Sequence, residues 1–298
     1  LAGALSSSAA VLPPDQLLAD DTLAVLTIPD YPKAKAVGRE CAMSRLWDDP
    51  ALKPFREKFT AKLKSDMVQP LEKEFGIRFN DYRGLAQGQI TLAVTRNGWD
   101  ATSTQEPGFL LLVDTKDKTE VLKTNLAELR KKWVDSGKQV KTETIRNVEF
   151  TTLLFSTDDL TKTIEKVFPD PDAGTETLKS PKPTKPGKKL EWLVGQSESL
   201  FLLGNSAKEI EKVLVRQSGG SAPSLREQSS FAQQYAAEFR NALGYGWVNV
   251  KTLIDVFTQK LSAKADGDSQ PGGMVPSGDK ILSALGLNSI QCLAWSSQ

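Results

Sequence analysis

The chain predicts an α+β fold, mostly antiparallel sheets with helices packed on them, organised as two related strand-helix-strand units. Three features carry this reading. Apolar residues recur in short segments bounded by proline, glycine and turn formers. Capping signals open helices between those segments. A short Φ-Gly-Φ helix ending followed by a strand occurs twice, as Phe75-Gly76-Ile77 and as Leu285-Gly286-Leu287.

In chain order, Thr22 to Ile28 (TLAVLTI) reads as a buried strand that Pro29 stops. A helical stretch follows the Tyr31-Pro32 bend. Asp49 as N-cap and Pro50 at the first helical position announce a second helix. Its Leu52, Phe55, Phe59, Leu63 and Met67 share one face, which is expected to be core. Pro70 should bend or end that helix, with Leu71 and Phe75 on a continuation that Gly76 terminates. Gln89 to Thr95 and Phe109 to Val113 read as an antiparallel pair with a long connection.

Asp117 with Glu120 has the spacing of a capping box, ahead of a helix whose inner stripe is Leu122, Leu126, Leu129 and Trp133 and which Gly137 ends. Val140 to Ile145 and Val148 to Leu154 flank Arg146-Asn147, a tight hairpin turn. Ser156 with Asp159 opens another helix, reaching Phe168. Beyond the lysine- and proline-rich stretch described below, Leu190 to Val194 and Ser199 to Leu203 form a hairpin. Ser206 with Glu209 and Ser224 with Glu227 cap two helices, the second placing Phe231, Tyr235 and Phe239 on one face. A strand from Gly244, a helix from Thr252, a glycine- and proline-rich loop from Asp266 to Gly278, a short helix over Asp279 to Leu285 and a strand at Ile290 to Trp295 complete the chain.

These elements imply residues 1–12 as an export remnant or linker, 13–170 as the first unit, 171–189 as a connector and 190–298 as the second. The second unit lacks the strand, helix and hairpin that close the first, so the natural chain is expected to continue past Gln298. The opening LAGALSSSAA has the small-residue character of the end of a signal peptide, which points to a periplasmic or extracellular location. No run approaches the roughly 18 consecutive apolar residues of a membrane helix, so no transmembrane segment is expected.

Composition excludes more than it includes. Lysine and arginine total 38 against 37 acidic residues, a net charge of +1 that gives no whole-molecule attraction for nucleic acid. The chain contains no histidine. Ser-His-Asp and Cys-His nucleophile systems, His-bearing zinc sites and His-ligated haem are thereby ruled out. Cys41 and Cys292 are too far apart for a CxxC motif and read as two small buried hydrophobes, with a disulfide as the alternative in an oxidising compartment.

Ser277 and Lys280 have the Ser-x-x-Lys spacing in which a lysine activates a serine nucleophile, but Ser277 is also explained as a helix N-cap. The paired acids Asp20-Asp21, Asp48-Asp49 and Asp158-Asp159 lie at element starts, where capping accounts for them. Asp170, Asp172, Gly174 and Glu176 lack EF-hand spacing, so no metal site is assigned and no cofactor is expected. Gly244-Tyr245-Gly246-Trp247 lacks the third glycine of a dinucleotide fingerprint and reads as a close-packed strand entry. Lys179, Lys182, Lys185, Lys188 and Lys189, interleaved with prolines, form an extended basic stretch suited to an anionic polymer, a phospholipid surface or a protein partner, or to solubility alone. No aromatic residue interleaves to stack on bases, which argues against specific nucleic-acid binding.

The stretches DDTLAVLTIPDYPKA, SRLWDDPALKPFREKF, GLAQGQITLAVTRNG, PGFLLLVDTKDK and KILSALGL resemble uncharacterised secreted proteins of planctomycete- and verrucomicrobial-type bacteria. The resemblance implies export and an α+β repeat, and it assigns no functional residue. The expected function is a non-enzymatic binding, scaffold or envelope-associated module, the rival being a hydrolase using the Ser-Lys pair or carboxylates. A hydrolase requires titratable groups converging in a deep pocket, whereas a binding module requires a contiguous apolar surface.

Overall fold

A computed structural model describes residues 10–100, 103, 105–156, 189–265 and 289–298. Nine strands form one antiparallel sheet: β1 (Thr22–Ile28), β2 (Ile90–Thr95), β3 (Gly108–Asp114), β4 (Val140–Ile145), β5 (Val148–Ser156), β6 (Lys189–Ser197), β7 (Leu200–Gly204), β8 (Gly244–Val248) and β9 (Leu293–Ser297). Their spatial order is β4-β5-β6-β7-β3-β2-β1-β8-β9. Strands β6 and β7, which follow the lysine- and proline-rich stretch, sit between β5 and β3, so residues from both sides of that stretch share one hydrogen-bonded sheet.

Nine helical segments accompany the sheet among the described residues: α1 (Pro14–Leu17), α2 (Tyr31–Glu40), α3 (Ala42–Asp48), α4 (Lys53–Leu63), α5 (Gln69–Phe75), α6 (Thr119–Asp135), α7 (Ala207–Gln217), α8 (Ser229–Gln234) and α9 (Val250–Ala265). None of the described helices is long and apolar enough to cross a membrane.

Because strand side chains alternate, the sheet has two faces, and both are apolar. The first carries Val25, Ala93, Leu110, Leu112, Phe150, Leu202, Tyr245 and Trp247, and it is closed by α1, α7 and α8 through Leu17, Ile210, Val213, Leu214 and Phe231. Phe231 is a hub. Its ring lies 5.6 Å from Trp247, 5.8 Å from Phe239 and 6.3 Å from Tyr245 between centroids, and it is fully buried. Threonines on this face bond within the sheet, as Thr27 and Thr91 do through their hydroxyls at 2.7 Å.

Several local signals produce what their chemistry requires. Arg146 and Asn147 both adopt positive φ, 49° and 64°, which is the twist a two-residue hairpin needs. Ser206 accepts from the Glu209 amide, and Ser224 with Glu227 completes a reciprocal capping box. Gly76 closes α5 at φ 66° and Gly137 follows α6 at 73°. Asp117 and Glu120 form no such box, because a 3-10 turn over Lys116–Lys118 precedes α6 and Thr119 is its first residue. The last strand is β9 at Leu293–Ser297, three residues later than Ile290.

Two expectations are corrected. The face of Phe55, Phe59 and Leu63 is not core: no residue of α2, α3 or α4 is buried, and Phe55 and Phe59 are 57% and 47% exposed. Before Pro70 the regular α-helix does give way: α4 ends at Leu63, a π-helical segment spans Lys64–Val68, and α5 opens at Gln69 with Pro70 in its first turn, where the missing amide donor is tolerated. Cys41 is exposed at the α2–α3 junction rather than buried, Cys292 is half-buried, and both are free thiols. The helices over Asp159–Phe168 and Asp279–Leu285, the loop between Asp266 and Gly278, the second Φ-Gly-Φ ending and most of the opening segment lie outside the described residues.

A partly buried charge cluster fastens α7 to the segment before β1. Lys212 lies 2.5 Å from Asp21 and 2.8 Å from the carboxylate of Glu209, which is 1% exposed. Burial pulls the Lys212 ammonium downward, but hydrogen bonds to Asp21 and Glu209 outweigh it and leave the group above the ordinary lysine value. The folded state therefore holds this proton more tightly than the unfolded chain. The resulting stability is fully present below the ordinary lysine range and is lost as pH rises through the elevated value.

Two predictions follow from the packing. Phe231→Ala should cost roughly 3–5 kcal/mol in denaturant unfolding, because the cavity it leaves has four aromatic neighbours that cannot all collapse into it. Lys212→Met should cost on the order of 3 kcal/mol by stranding Asp21 and Glu209, the low end of a broken buried pair because Lys212 retains 26% side-chain exposure.

Candidate functional site

The second face of the sheet is closed over half its width. Helix α6 lays Leu122, Leu126, Leu129 and Trp133 across β5, β6 and β7, meeting Leu153, Val194, Phe201, Leu203 and Trp192. Its stripe follows from three- and four-residue spacing, and the sheet residues follow from alternation. The amide of Gln196 donates to the Thr119 carbonyl at 3.0 Å, which holds the start of α6 against β6.

Between α6 and the sheet lies a cavity of about 420 Å³, within the size range of small-molecule sites. Its third wall is the segment after α5: Ile77, Phe79, Tyr82, Leu85 and Ala86. Gly76 turns the chain into this wall through its left-handed conformation. The Asn125 side-chain amide then donates to the Asp81 carbonyl at 3.0 Å and pins a 3-10 turn over Phe79–Tyr82 against α6. Phe79, which lines the cavity, is itself exposed to solvent.

Among the described residues the lining contains no carboxylate, amine, guanidinium or thiol. The Thr115 hydroxyl donates to the Ser199 carbonyl at 2.8 Å, and the Tyr82 hydroxyl reaches the Asn125 carbonyl at 3.5 Å. Burial raises the Tyr82 phenol to about 12, with the negative charges of Asp81 and Glu128 acting in the same direction. At neutral pH it is a neutral hydroxyl. Among the described residues the polar groups of the chamber are thus the hydroxyls of Thr115 and Tyr82, and the rest of its lining is apolar.

The apolar surface continues beyond the cavity. Paired residues of adjacent strands share a face, so Val194, Leu203, Leu111, Leu92, Leu26, Gly246 and Trp295 form one row across the sheet. Leu111, Leu203 and Val194 line the cavity, whereas Leu92 is 49% and Trp295 48% exposed. The Trp295 ring rests where a Gly246 side chain would stand: an added Cβ would lie 2.0 Å from a ring carbon. Thus Gly246 is a close-packing residue, and the row runs unbroken from an open patch into the chamber.

Of the residues singled out from sequence, Ser277 and Lys280 lie outside the described residues, as do Lys179, Lys182, Lys185 and Lys188. Lys189 opens β6 opposite Ser156. The stripe of α6 was legible as an inner face, but the wall formed by Ile77, Phe79 and Tyr82 reads in sequence only as a connection. Its apolar side chains were the available signal. No group of three or more metal-ligating side chains converges among the described residues. Comparison with protein-family models, curated proteins and solved structures found no match.

The tyrosine environment yields a measurable consequence. Because Tyr82 ionises higher folded than unfolded, its contribution to stability is complete below the ordinary tyrosine value and is lost as pH rises from there to about 12. Spectroscopic titration should show a late phenolate step that Tyr82→Phe removes, and the variant should lose less stability over that alkaline interval. An unchanged titration would place Tyr82 outside the apolar wall.

Proposed function

We propose that this is an exported, non-enzymatic binding module whose ligand is apolar and occupies the cavity between α6 and the sheet. The single observation that carries the reading is the lining: a chamber of about 420 Å³ walled by aliphatic and aromatic side chains, with no ionisable group other than the Tyr82 phenol. An acyl chain or a small hydrophobic ring system fits that chemistry, because its transfer from water is favoured by about 25 cal/mol per Å² of apolar area buried. The open row of Leu92, Leu26 and Trp295 supports the same reading by offering an apolar path to the chamber. The rival hydrolase reading rests on Ser277 and Lys280, which lie outside the described residues.

The relation between the two units, 13–170 and 190–298, rests on the pairs β1 with β2 in the first and β8 with β9 in the second. Each is an antiparallel pair with helix in its connection, and β1 lies antiparallel to β8 at the centre of the order β2-β1-β8-β9. That arrangement supports an approximate two-fold relation between them. Export rests on the small-residue opening segment and on the resemblance to secreted bacterial proteins.

The test is titration of the purified chain with a fluorescent fatty acid. Binding should saturate at one site and weaken at least tenfold in Ala86→Phe, which fills the chamber from a half-buried position on its wall. Equal binding by both proteins, with the fold intact by circular dichroism, overturns the reading.

A further inference from the structure

We propose that the helical arm formed by α2, α3 and α4 is a docking surface for an anionic lipid bilayer. The arm is an excursion between two paired strands. It leaves after β1 and returns before β2, and its base is tied where the Tyr31 amide donates to the Gly88 carbonyl at 2.9 Å. Its helices pack chiefly on one another, and none of their residues is buried. Yet the arm is not polar. Met43, Leu46, Phe55, Phe59 and Leu63 are exposed, and Phe55 stacks on Phe59 at 5.9 Å beside the edge of Trp47. Helices that expose large aromatic and aliphatic groups need a low-dielectric partner.

Charge selects which partner. Residues 31–64 carry nine lysines and arginines against four acids, an excess of five in a chain whose net charge is only +1. A protein groove able to bury the aromatic cluster would also need to meet this excess with matched carboxylates. A bilayer containing anionic lipid supplies both requirements at once: hydrocarbon for Phe55 and Phe59, an interface suited to Trp47, and headgroup charge worth about 1 kcal/mol for each basic residue near the surface. A second copy of the chain would bring the same positive excess against itself, which disfavours self-association through this face.

The position of the arm links it to the chamber without making docking depend on it. The chain of the arm continues through α5 into the wall carrying Ile77 and Phe79, so a docked arm sets the cavity rim near the lipid.

The experiment is co-sedimentation of the full chain with vesicles of phosphatidylglycerol and phosphatidylcholine, against vesicles of phosphatidylcholine alone. The wild type should partition at least tenfold more strongly to the anionic vesicles, with the preference falling as salt is raised. Phe55→Ser with Phe59→Ser should lower binding to both vesicle types. Lys58→Glu with Lys62→Glu, which leaves the ring cluster in place, should abolish the anionic preference. Ala86→Phe should bind vesicles as the wild type does, which separates failure of the cavity reading from failure of this one. Equal partition to both vesicle types, or binding undiminished in both double variants, overturns the proposal. So does a dimer in solution that Phe55→Ser with Phe59→Ser dissolves, since the face would then belong to a second copy.

Discussion

A single antiparallel sheet whose strands are apolar on both sides has two surfaces to take out of water, and the chain has to cover each with something. Alternation makes the two requirements inseparable: moving any strand by one residue exchanges its faces. The first face receives the tighter solution. Helices α1, α7 and α8 close it around Phe231, Tyr245 and Trp247, with Lys212, Asp21 and Glu209 fastening α7 to the chain before β1. Everything else about the molecule follows from how incompletely the second face is served.

On that second face α6 covers the sheet from β5 to β7, and the chain between α5 and β2 leans against α6 without filling the space between them. The result is a chamber rather than a packed core. Its apolar character has a physical origin in the same alternation, which sets Leu153, Trp192, Val194, Phe201 and Leu203 on the side toward α6. A lining of this composition favours transfer of apolar surface from water into it. The open half of the face, from Leu92 to Trp295, extends that surface toward solvent, with Gly246 shaped to receive the indole.

The helical arm shows why an amphipathic spacing does not by itself say what the apolar side meets. In Leu52, Phe55, Phe59 and Leu63 the period of three and four residues identified a helix and its greasy face correctly. It could not say that the helix stands clear of the sheet. That depends on where the tie between Tyr31 and Gly88 places the excursion, and on α6 already occupying the second face. The same holds for the wall at Ile77, Phe79 and Tyr82. Each is an ordinary residue in a connection, and long-range bonds such as that from Asn125 to the Asp81 carbonyl hold the connection against α6.

Local chemistry was readable from the sequence wherever it depends on near neighbours. The strand β1, the Arg146-Asn147 hairpin, the Ser206 and Ser224 caps, the glycine after α5 and the inner stripe of α6 all rest on propensity, positive φ or spacing within one or two turns of chain. The absence of histidine likewise fixed which chemistries are closed to the protein. What only the tertiary structure decided was contact between residues distant in sequence: the placement of β6 and β7 between β5 and β3, the chamber under α6 and the exposure of the arm. Those outcomes turn on which apolar surfaces find each other, and burial free energy is non-directional, so no short stretch of residues encodes the choice.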